Sequence, residues 1–324
     1  MEKIKNLFEL TRAYALGETF ASCFIILAYS HFSNKFSIFN FIILTVALCC
    51  VHLGANLFDD YLDIKMKLKD GTPLKDIVFN SFIPTKARLI INETFSLRQT
   101  EMIILLLFFI PLCIGFYFTY ISGFKILIYM LLGGTLALFY PIAPRYYLGE
   151  IVIGLIYGPL MITGGHYALT GEFSYNLLFI SISIFFTTVT LLHTDNLMDW
   201  EFDIKEKRNT LCVLSGSKEK SLKLLKYIII ASYFIIVSGV LLKEFNPKML
   251  YVFLTLPIAT KLLESMKDYI NIKDVKFKPR WYWGFFENWK QIEELNIAFY
   301  MFRFYLARNF SFFFAVFAAI GIVE

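Results

Sequence analysis

The sequence predicts an all-α protein, a polytopic bundle of about nine membrane-spanning helices. Three observations indicate this fold class. Hydrophobic residues make up 57% of the 324 positions and charged residues only 18%. Apolar runs long enough to cross a bilayer recur along the whole chain, and the few charges gather between them. The same composition excludes a disordered chain, a small disulfide scaffold and a nucleic-acid-binding domain, so no nucleic-acid partner is expected.

The spans follow from the positions of the apolar runs. They are apolar on all sides rather than along one stripe, as is typical of helices that lie in lipid. We expect helices at residues 13–31, 38–57, 101–119, 124–141, 149–169, 175–194, 224–242, 249–266 and 294–321. Together they predict a single transmembrane domain over residues 1–324. Its loops would lie at about 56–100, 140–150 and 195–220, with an additional loop at about 267–292.

Basic residues are distributed unequally between the two sets of loops. One set carries 24 Lys and Arg residues and the alternating set carries 4. Loops rich in Lys and Arg stay on the cytoplasmic side, so we expect a cytoplasmic N-terminus and a C-terminus on the outer side. The first apolar run contains Glu18 and exceeds the usual length of a signal-peptide core, so it is interpreted as a span rather than a cleaved leader.

Cysteine and histidine residues show no metal-ligand spacing. The five cysteines form no Cys-x-x-Cys pair, and the four histidines are scattered. We expect the cysteines to be apolar fillers without a nearby histidine, and the histidines to be hydrogen-bonded interior side chains. Only His193 is close enough in sequence to an acidic cluster to reach it.

Two predicted helix ends carry regularly spaced aspartates. The second span runs into Asn56, Asp59, Asp60 and Asp63, in which Asn56/Asp60 and Asp59/Asp63 are four residues apart. The sixth span runs into Asp195, Asp199 and Asp203, again four residues apart. Residues at this spacing share one helical face. The orientation above places both clusters on the cytoplasmic side.

These clusters are electrostatically unfavourable unless a cation neutralises them. Like charges one turn apart destabilise a helix by about 0.2–0.5 kcal/mol per pair, and the helix dipole disfavours anions at a C-terminus. An ionised aspartate near a bilayer core costs about 2.5–3.5 kcal/mol. Mg²⁺ binds carboxylates together with phosphate oxygens. The pattern therefore predicts a site where two acidic helix ends hold Mg²⁺ ions around a diphosphate.

Three motifs in order, over residues of about 10–215, resemble the UbiA superfamily of intramembrane prenyltransferases. Within it they are similar to the 1,4-dihydroxy-2-naphthoate polyprenyltransferases of menaquinone synthesis. Residues 56–63 read Asn-Leu-Phe-Asp-Asp-Tyr-Leu-Asp, where that subgroup has Asn in place of Asp59. The Asp199–Asp203 motif is followed by Arg-Asn-Thr-Leu at 208–211, and between the two lie Tyr140 and the 145–150 segment Arg-Tyr-Tyr-Leu-Gly-Glu.

The resemblance implies Mg²⁺-dependent transfer of a polyprenyl group from its diphosphate to an aromatic acceptor. The expected setting is the lipid bilayer of a bacterial cell membrane, with the active site facing the cytoplasm. The resemblance assigns Asp60 and Asp63 to one metal ion and Asp199 and Asp203 to a second metal ion. It also assigns Arg145 to catalysis. The further candidates for substrate binding are Asn56, Asp59, Lys86, Arg88, Tyr140, Tyr146, Asp195 and Arg208.

The chain departs from the subgroup at three places. It lacks a Gly-Pro-x-Arg-Gly segment after the first motif, has Arg12-Ala13 where Arg-Pro is usual, and has a Trp-rich loop at 279–290 that would form an interfacial belt or a lid. The acceptor therefore stays open, with 4-hydroxybenzoate, homogentisate, haem or a glyceryl phosphate as alternatives to the naphthoate. A multi-span carrier is the alternative from another class.

Overall fold

The computed structural model describes residues 2–77, 87–272 and 277–323. Within these ranges nine helices are long and apolar enough to cross a membrane, which confirms the predicted fold class. A short helix, α1 (Glu2–Leu10), precedes them. The spanning helices are α2 (Ala13–Ser30), α3 (Ile38–Lys69), α4 (Leu97–Ser122), α5 (Lys125–Tyr146), α6 (Gly149–Thr170), α7 (Tyr175–Met198), α8 (Lys218–Leu241), α9 (Pro247–Ile270) and α10 (Ala298–Val323).

Helix ends differ from the apolar runs where polar residues extend a helix. The run that ends at residue 57 continues as α3 to Lys69, so the whole first aspartate motif is helical. Lys67 and Lys69 in the last turn interact favourably with the helix dipole. α4 begins at Leu97 because Ser96 and Gln99 form a capping box that satisfies the first backbone N–H groups.

The bundle is organised around α10 and α7. α10 packs against α2, α7 and α9, whereas α7 also packs against α6 and α8, and α3 pairs with α4. Gly158 allows α6 to approach α7 closely, because a Cβ at this position would lie 2.6 Å from the carbonyl oxygen of Ser181. This packing brings the ends of α3, α6 and α7 to one end of the bundle, which we call the aspartate end.

Arg12 has a constrained backbone conformation at the point where the chain enters the bundle. It lies between α1 and α2 with a φ of 53°, a left-handed conformation that is uncommon for a residue with a side chain. Such conformations persist where the surrounding structure holds them, and they concentrate at functional sites. The turn directs the chain from α1 into α2 beside the first aspartate motif.

Candidate active site

A polar cavity of about 110 Å³ lies at the aspartate end, between the ends of α3, α5, α6 and α7. Asp59 from the first motif and Asp195, Asp199 and Asp203 from the second all line it. The two acidic clusters, about 140 residues apart in sequence, therefore meet at one cavity. Its other polar lining residues are Arg12, Tyr140, Asn196, Arg208 and Thr210.

Arg12 neutralises the first motif. Its guanidinium forms an ion pair with Asp60 and lies 3.8 Å from the carboxylate of Asp59. Asp60 is 1% exposed and also accepts a hydrogen bond of 3.2 Å from the backbone N–H of Ala87. Burial lowers the pKa of Arg12, but Asp60 and Asp59 raise it more, so the pKa is raised overall and the guanidinium stays charged.

Arg208 joins the two motifs from the opposite side. Its Nη2 lies 3.1 Å from Oδ2 of Asp63, and it lines the same cavity as Asp203. Burial raises the pKa of Asp203 to about 7, although Arg208 and the hydroxyl of Thr210, 3.3 Å away, act to lower it. Keeping this carboxylate ionised at neutral pH therefore requires more positive charge than Arg208 supplies.

Tyr300 from α10 closes the site from a third side. Its hydroxyl donates a hydrogen bond to Asp195, and its side chain is fully buried. Sequence reasoning missed Tyr300, because a tyrosine in a continuous apolar run carries no local signal. It also missed Arg12 as a site residue, although the departure at Arg12-Ala13 was a signal for this position.

Several residues predicted for the site lie away from the cavity lining. Arg145 Nη2 is 2.7 Å from the sulfur of Met66, and Arg88 pairs with Glu9 at 2.5 Å. Tyr146 is 62% exposed. Lys86 lies outside the described residues. Within the described part of the chain, the buried Nδ2 of Asn56 has no hydrogen-bond partner.

Glu150 forms hydrogen bonds that hold the loop after the second motif in place. Its Oε1 accepts hydrogen bonds from the Asn196 amide (2.7 Å) and the backbone N–H of Leu211 (3.1 Å). Because Asn196 lines the cavity and Leu211 follows the Arg208–Thr210 segment, Glu150 holds both sides of the second motif in place.

The expectation that the cysteines lie apart from histidine is wrong for Cys212. Glu150, His193 and Cys212 are all buried, and one ligand-type atom from each lies within 4.8 Å of the others. Burial raises the pKa of the Cys212 thiol well above its usual value, so the sulfur stays protonated. It lies 3.3 Å from the carbonyl oxygen of His193 and acts as a hydrogen-bond donor there. His193 reaches Glu150, 3.8 Å away, rather than the aspartates.

Replacing Glu150 by alanine is expected to destabilise the protein by about 2–6 kcal/mol, since two half-buried N–H donors lose their acceptor at about 1–3 kcal/mol each. Thermal unfolding in detergent measures this. Glu172→Ala is the matched control, because the Glu172 side chain is exposed and forms a long surface ion pair with Lys35, 3.4 Å apart. Equal unfolding temperatures for the two variants would contradict the role of Glu150.

The remaining buried histidines are hydrogen-bonded, as expected. Nδ1 of His52 lies 2.7 Å from both the Thr19 and the Tyr157 hydroxyls, and Nδ1 of His166 lies 2.9 Å from Ser30 Oγ. These contacts tie α2 to α3 and α6 beneath the cavity.

The spanning helices of the described residues define a polytopic membrane protein, and a cavity lined by four aspartates lies at one end of the bundle. The model of the UbiA prenyltransferase family matches residues 14–286. The chain therefore belongs to the UbiA prenyltransferase family and is a prenyltransferase.

Named relatives are distant in sequence. Over 269 residues the chain is 22% identical to 1,4-dihydroxy-2-naphthoate octaprenyltransferase of Bacillus subtilis, covering 82% of each protein. Over 122 residues it is 28% identical to 2-carboxy-1,4-naphthoquinone phytyltransferase of Synechocystis, which covers 38% of this chain and only 39% of that protein.

Solved structures share the fold. An apo UbiA homologue from Aeropyrum pernix superposes with a TM-score of 0.58 at 16% identity, covering 92% of this chain and 96% of that one. A homologue from Archaeoglobus fulgidus, bound to GPP and Mg²⁺, superposes with a TM-score of 0.55 at 13% identity, covering 94% of this chain and 98% of that one. A digeranylgeranylglyceryl phosphate synthase superposes with a TM-score of 0.59 at 15% identity, covering 100% of this chain and 99% of that one.

Proposed function

We propose that this protein transfers a polyprenyl group from its diphosphate to 1,4-dihydroxy-2-naphthoate, in a Mg²⁺-dependent reaction of menaquinone synthesis. The observation that carries the proposal is the cavity at the aspartate end, which is lined by four aspartates and two arginines. Carboxylates that hold divalent metals and arginines that grip phosphate are the two groups a diphosphate site needs.

The donor set fits Mg²⁺. The cavity offers carboxylate oxygens from Asp59, Asp195, Asp199 and Asp203, with Asp60 and Asp63 adjacent on α3. Hard oxygen ligands of this kind suit Mg²⁺. Asp60 and Asp63 would hold one ion, and Asp199 and Asp203 the other. When bound, Mg²⁺ neutralises the negative charge that develops on the departing diphosphate.

Arg12 and Arg208 are the cations placed to contact the diphosphate directly. Each now pairs with a motif aspartate, at Asp60 and Asp63. When metal ions occupy those carboxylates, the two guanidinium groups would turn to the phosphate oxygens, for which their planar fork is suited. Direct roles for Arg145, Arg88 and Lys86 stay predictions from the sequence.

An apolar cavity supplies room for the polyprenyl chain. It measures about 250 Å³ and is lined by residues of α3, α4, α5 and α6. Three of these helices also line the polar cavity: on α3, for example, Val51 lines the apolar cavity and Asp59 the polar one. At 1.5 Å per residue, the two residues are about 12 Å apart along the helix. The diphosphate would sit among the aspartates while the chain runs into this cavity.

Aromatic side chains would stabilise the allylic cation. Tyr140 and Phe202 line the polar cavity. A desolvated aromatic face contributes about 2 kcal/mol or more to binding a cation. The buried setting also keeps water from capturing that cation before the acceptor ring attacks it.

Two parts of the proposal are supported by other observations: the choice of naphthoate as acceptor, and the side of the membrane that the site faces. Both named relatives act on naphthalene-ring substrates by their names. The excess of basic residues at the aspartate end supports a cytoplasmic position for the site, in the membrane of a bacterial cell.

Membranes that contain the protein should convert 1,4-dihydroxy-2-naphthoate and a labelled polyprenyl diphosphate to a prenylated product only when Mg²⁺ is present. The acceptor panel includes 4-hydroxybenzoate, homogentisate, haem and a glyceryl phosphate, with products identified by mass spectrometry. Product from another acceptor alone would overturn the naphthoate assignment. Flux of substrate without any product would favour the carrier.

A further inference from the structure

The segment between α9 and α10 folds back along α10 instead of extending into solvent. The rings of Phe277 and Trp289 both contact Phe302 near the start of α10, with centroids 5.4 and 5.9 Å apart. Between these two positions in sequence, Phe285 contacts Phe313, eleven residues further along α10, at 5.5 Å. The rings of Trp283 and Phe286 also contact Phe302, at 5.9 and 5.4 Å, while the backbone carbonyls of Trp283 and Phe285 accept hydrogen bonds from Asn309. The backbone of the described residues 277–297 therefore runs along α10 from the level of Phe302 to that of Asn309 and returns, and we call these residues the aromatic hairpin.

The tip of the aromatic hairpin is at Gly284. Its φ is 96°, and a Cβ there would lie 2.7 Å from both the Asn309 side chain and the Phe313 ring. Only glycine meets both requirements, because the backbone must adopt a positive φ and touch α10 directly.

This contact lies inside the membrane-spanning part of α10. Tyr300 is level with Asp195, to which it donates a hydrogen bond. Asp195 stands 20 residues after the start of α7 at Tyr175, about the length that crosses the hydrocarbon core. At 1.5 Å per residue, Asn309 then lies roughly 13 Å, and Phe313 roughly 20 Å, below that boundary. The hydrocarbon core is about 30 Å thick, so the tip reaches about its middle.

Three backbone carbonyls of the hairpin accept hydrogen bonds from side chains of α10. Nδ2 of Asn309 donates to the carbonyl oxygens of both Trp283 and Phe285 at 2.9 Å, and the Tyr305 hydroxyl donates to the carbonyl of Glu287 at 3.2 Å. Non-helical backbone occurs within the hydrocarbon region only where protein groups replace water as hydrogen-bond partners. Asn309, a buried polar residue of α10, supplies two of these bonds.

The hairpin also brings a counter-charge to an intramembrane arginine. Arg308 of α10 pairs with Glu287 at 2.8 Å and donates to the Phe285 carbonyl at 3.1 Å. An unpaired arginine in a span is costly, so the pairing favours insertion of both segments together.

The outer side of the hairpin is exposed and carries aromatic rings beside two charged groups. Arg280 is exposed and donates a hydrogen bond of 2.5 Å to the Tyr282 hydroxyl, and the Glu287 side chain is 53% exposed. Trp281 is 89% exposed, Phe285 58% and Tyr282 40%. The other side of α10 faces the bundle, where Ser311 donates to Glu18 of α2.

We propose that the aromatic hairpin is a re-entrant element that enters the bilayer from the aspartate end and presents Trp281, Tyr282 and Phe285 to lipid acyl chains. The loop is neither a soluble lid nor a belt confined to the surface. This inference is independent of which acceptor the enzyme uses.

Tryptophan quenching in vesicles tests the proposal. The chain has four tryptophans, and the triple variant W200F/W283F/W289F leaves Trp281 as the single reporter. In phosphatidylcholine vesicles with bromine on the acyl chains, Trp281 should lose most of its emission, whereas aqueous iodide should quench it little. The control reporter is Leu214→Trp with all four native tryptophans replaced by phenylalanine, since Leu214 is 58% exposed in the loop after α7. That reporter should respond to iodide instead.

Iodide quenching of Trp281 equal to that of the control reporter, without quenching by brominated chains, would overturn the proposal. The wild-type protein gives the same test if the triple variant fails to fold, because three of its four tryptophans lie in the hairpin. Asn309→Leu should then release the hairpin and raise iodide quenching. Asn176→Leu is its matched control, since it removes a similar hydrogen bond to the Glu244 carbonyl (3.2 Å) without touching the hairpin.

Discussion

Replacing Asp199 by alanine should reduce prenyl transfer by roughly 100-fold or more while the protein still inserts and accumulates. Asp199 lines the polar cavity, and in the proposed reaction it holds the cation that stabilises the departing diphosphate. Asp60→Ala should have the same effect from the other motif. Rates of product formation in membranes, normalised to the amount of inserted protein, measure both.

Asp70→Ala is the matched control for these variants. Asp70 follows the last residue of α3 and is exposed, so it shares the acidic chemistry but not the cavity. We expect wild-type activity from this control. If Asp60→Ala and Asp199→Ala both keep wild-type rates, the assignment of the two motifs to metal and diphosphate is wrong.

Replacing Arg12 by alanine should impair both activity and stability. It deprives the buried Asp60 of its arginine counter-charge, and loss of one partner of a buried pair costs about 3–5 kcal/mol. It also removes a cation proposed to grip the diphosphate, so KM for the prenyl diphosphate should rise. Kinetics at several prenyl diphosphate concentrations and thermal unfolding in detergent measure the two effects separately.

Arg12→Lys separates charge from geometry. It should recover much of the stability, because the positive charge remains, but little of the affinity, because lysine cannot form a bidentate contact. The exposed Arg98→Ala is the control and should change neither quantity. Unchanged KM in both Arg12 variants would remove Arg12 from the diphosphate site.

The spanning helices could be predicted from sequence because the length of an apolar run and the thickness of a bilayer decide them locally. The predicted end of the second span fell short of Lys69 because residues 58–69 carry six charged side chains yet are still helical. Helical continuation at a membrane surface depends on side-chain pairing and the dipole, which hydropathy alone does not register.

The aspartates of the site could also be predicted, since spacing of four residues on one helix is a local pattern. Their partners could not. Arg12 meets Asp60 across 48 residues and Tyr300 meets Asp195 across 105, so these contacts exist only because of how the helices pack. For the same reason the pairing of Arg88 with Glu9 of α1 could not be predicted from the sequence.

The aromatic loop shows the same limit. Its composition is compatible with an interfacial belt or a lid, and the choice depends on Gly284 and Asn309, which are 25 residues apart. Neither residue has a distinctive local pattern. Their contact defines the hairpin only after α10 is in place.

The most direct test of the central proposal is to follow both products of one reaction. Purified protein in vesicles, given Mg²⁺, a polyprenyl diphosphate and 1,4-dihydroxy-2-naphthoate, should release inorganic pyrophosphate and form prenylated naphthoate in equal amounts. Chelation of Mg²⁺ should stop both, and added Mg²⁺ should restore both. Pyrophosphate release and product formation that persist without divalent metal would contradict the proposed roles of the two aspartate motifs.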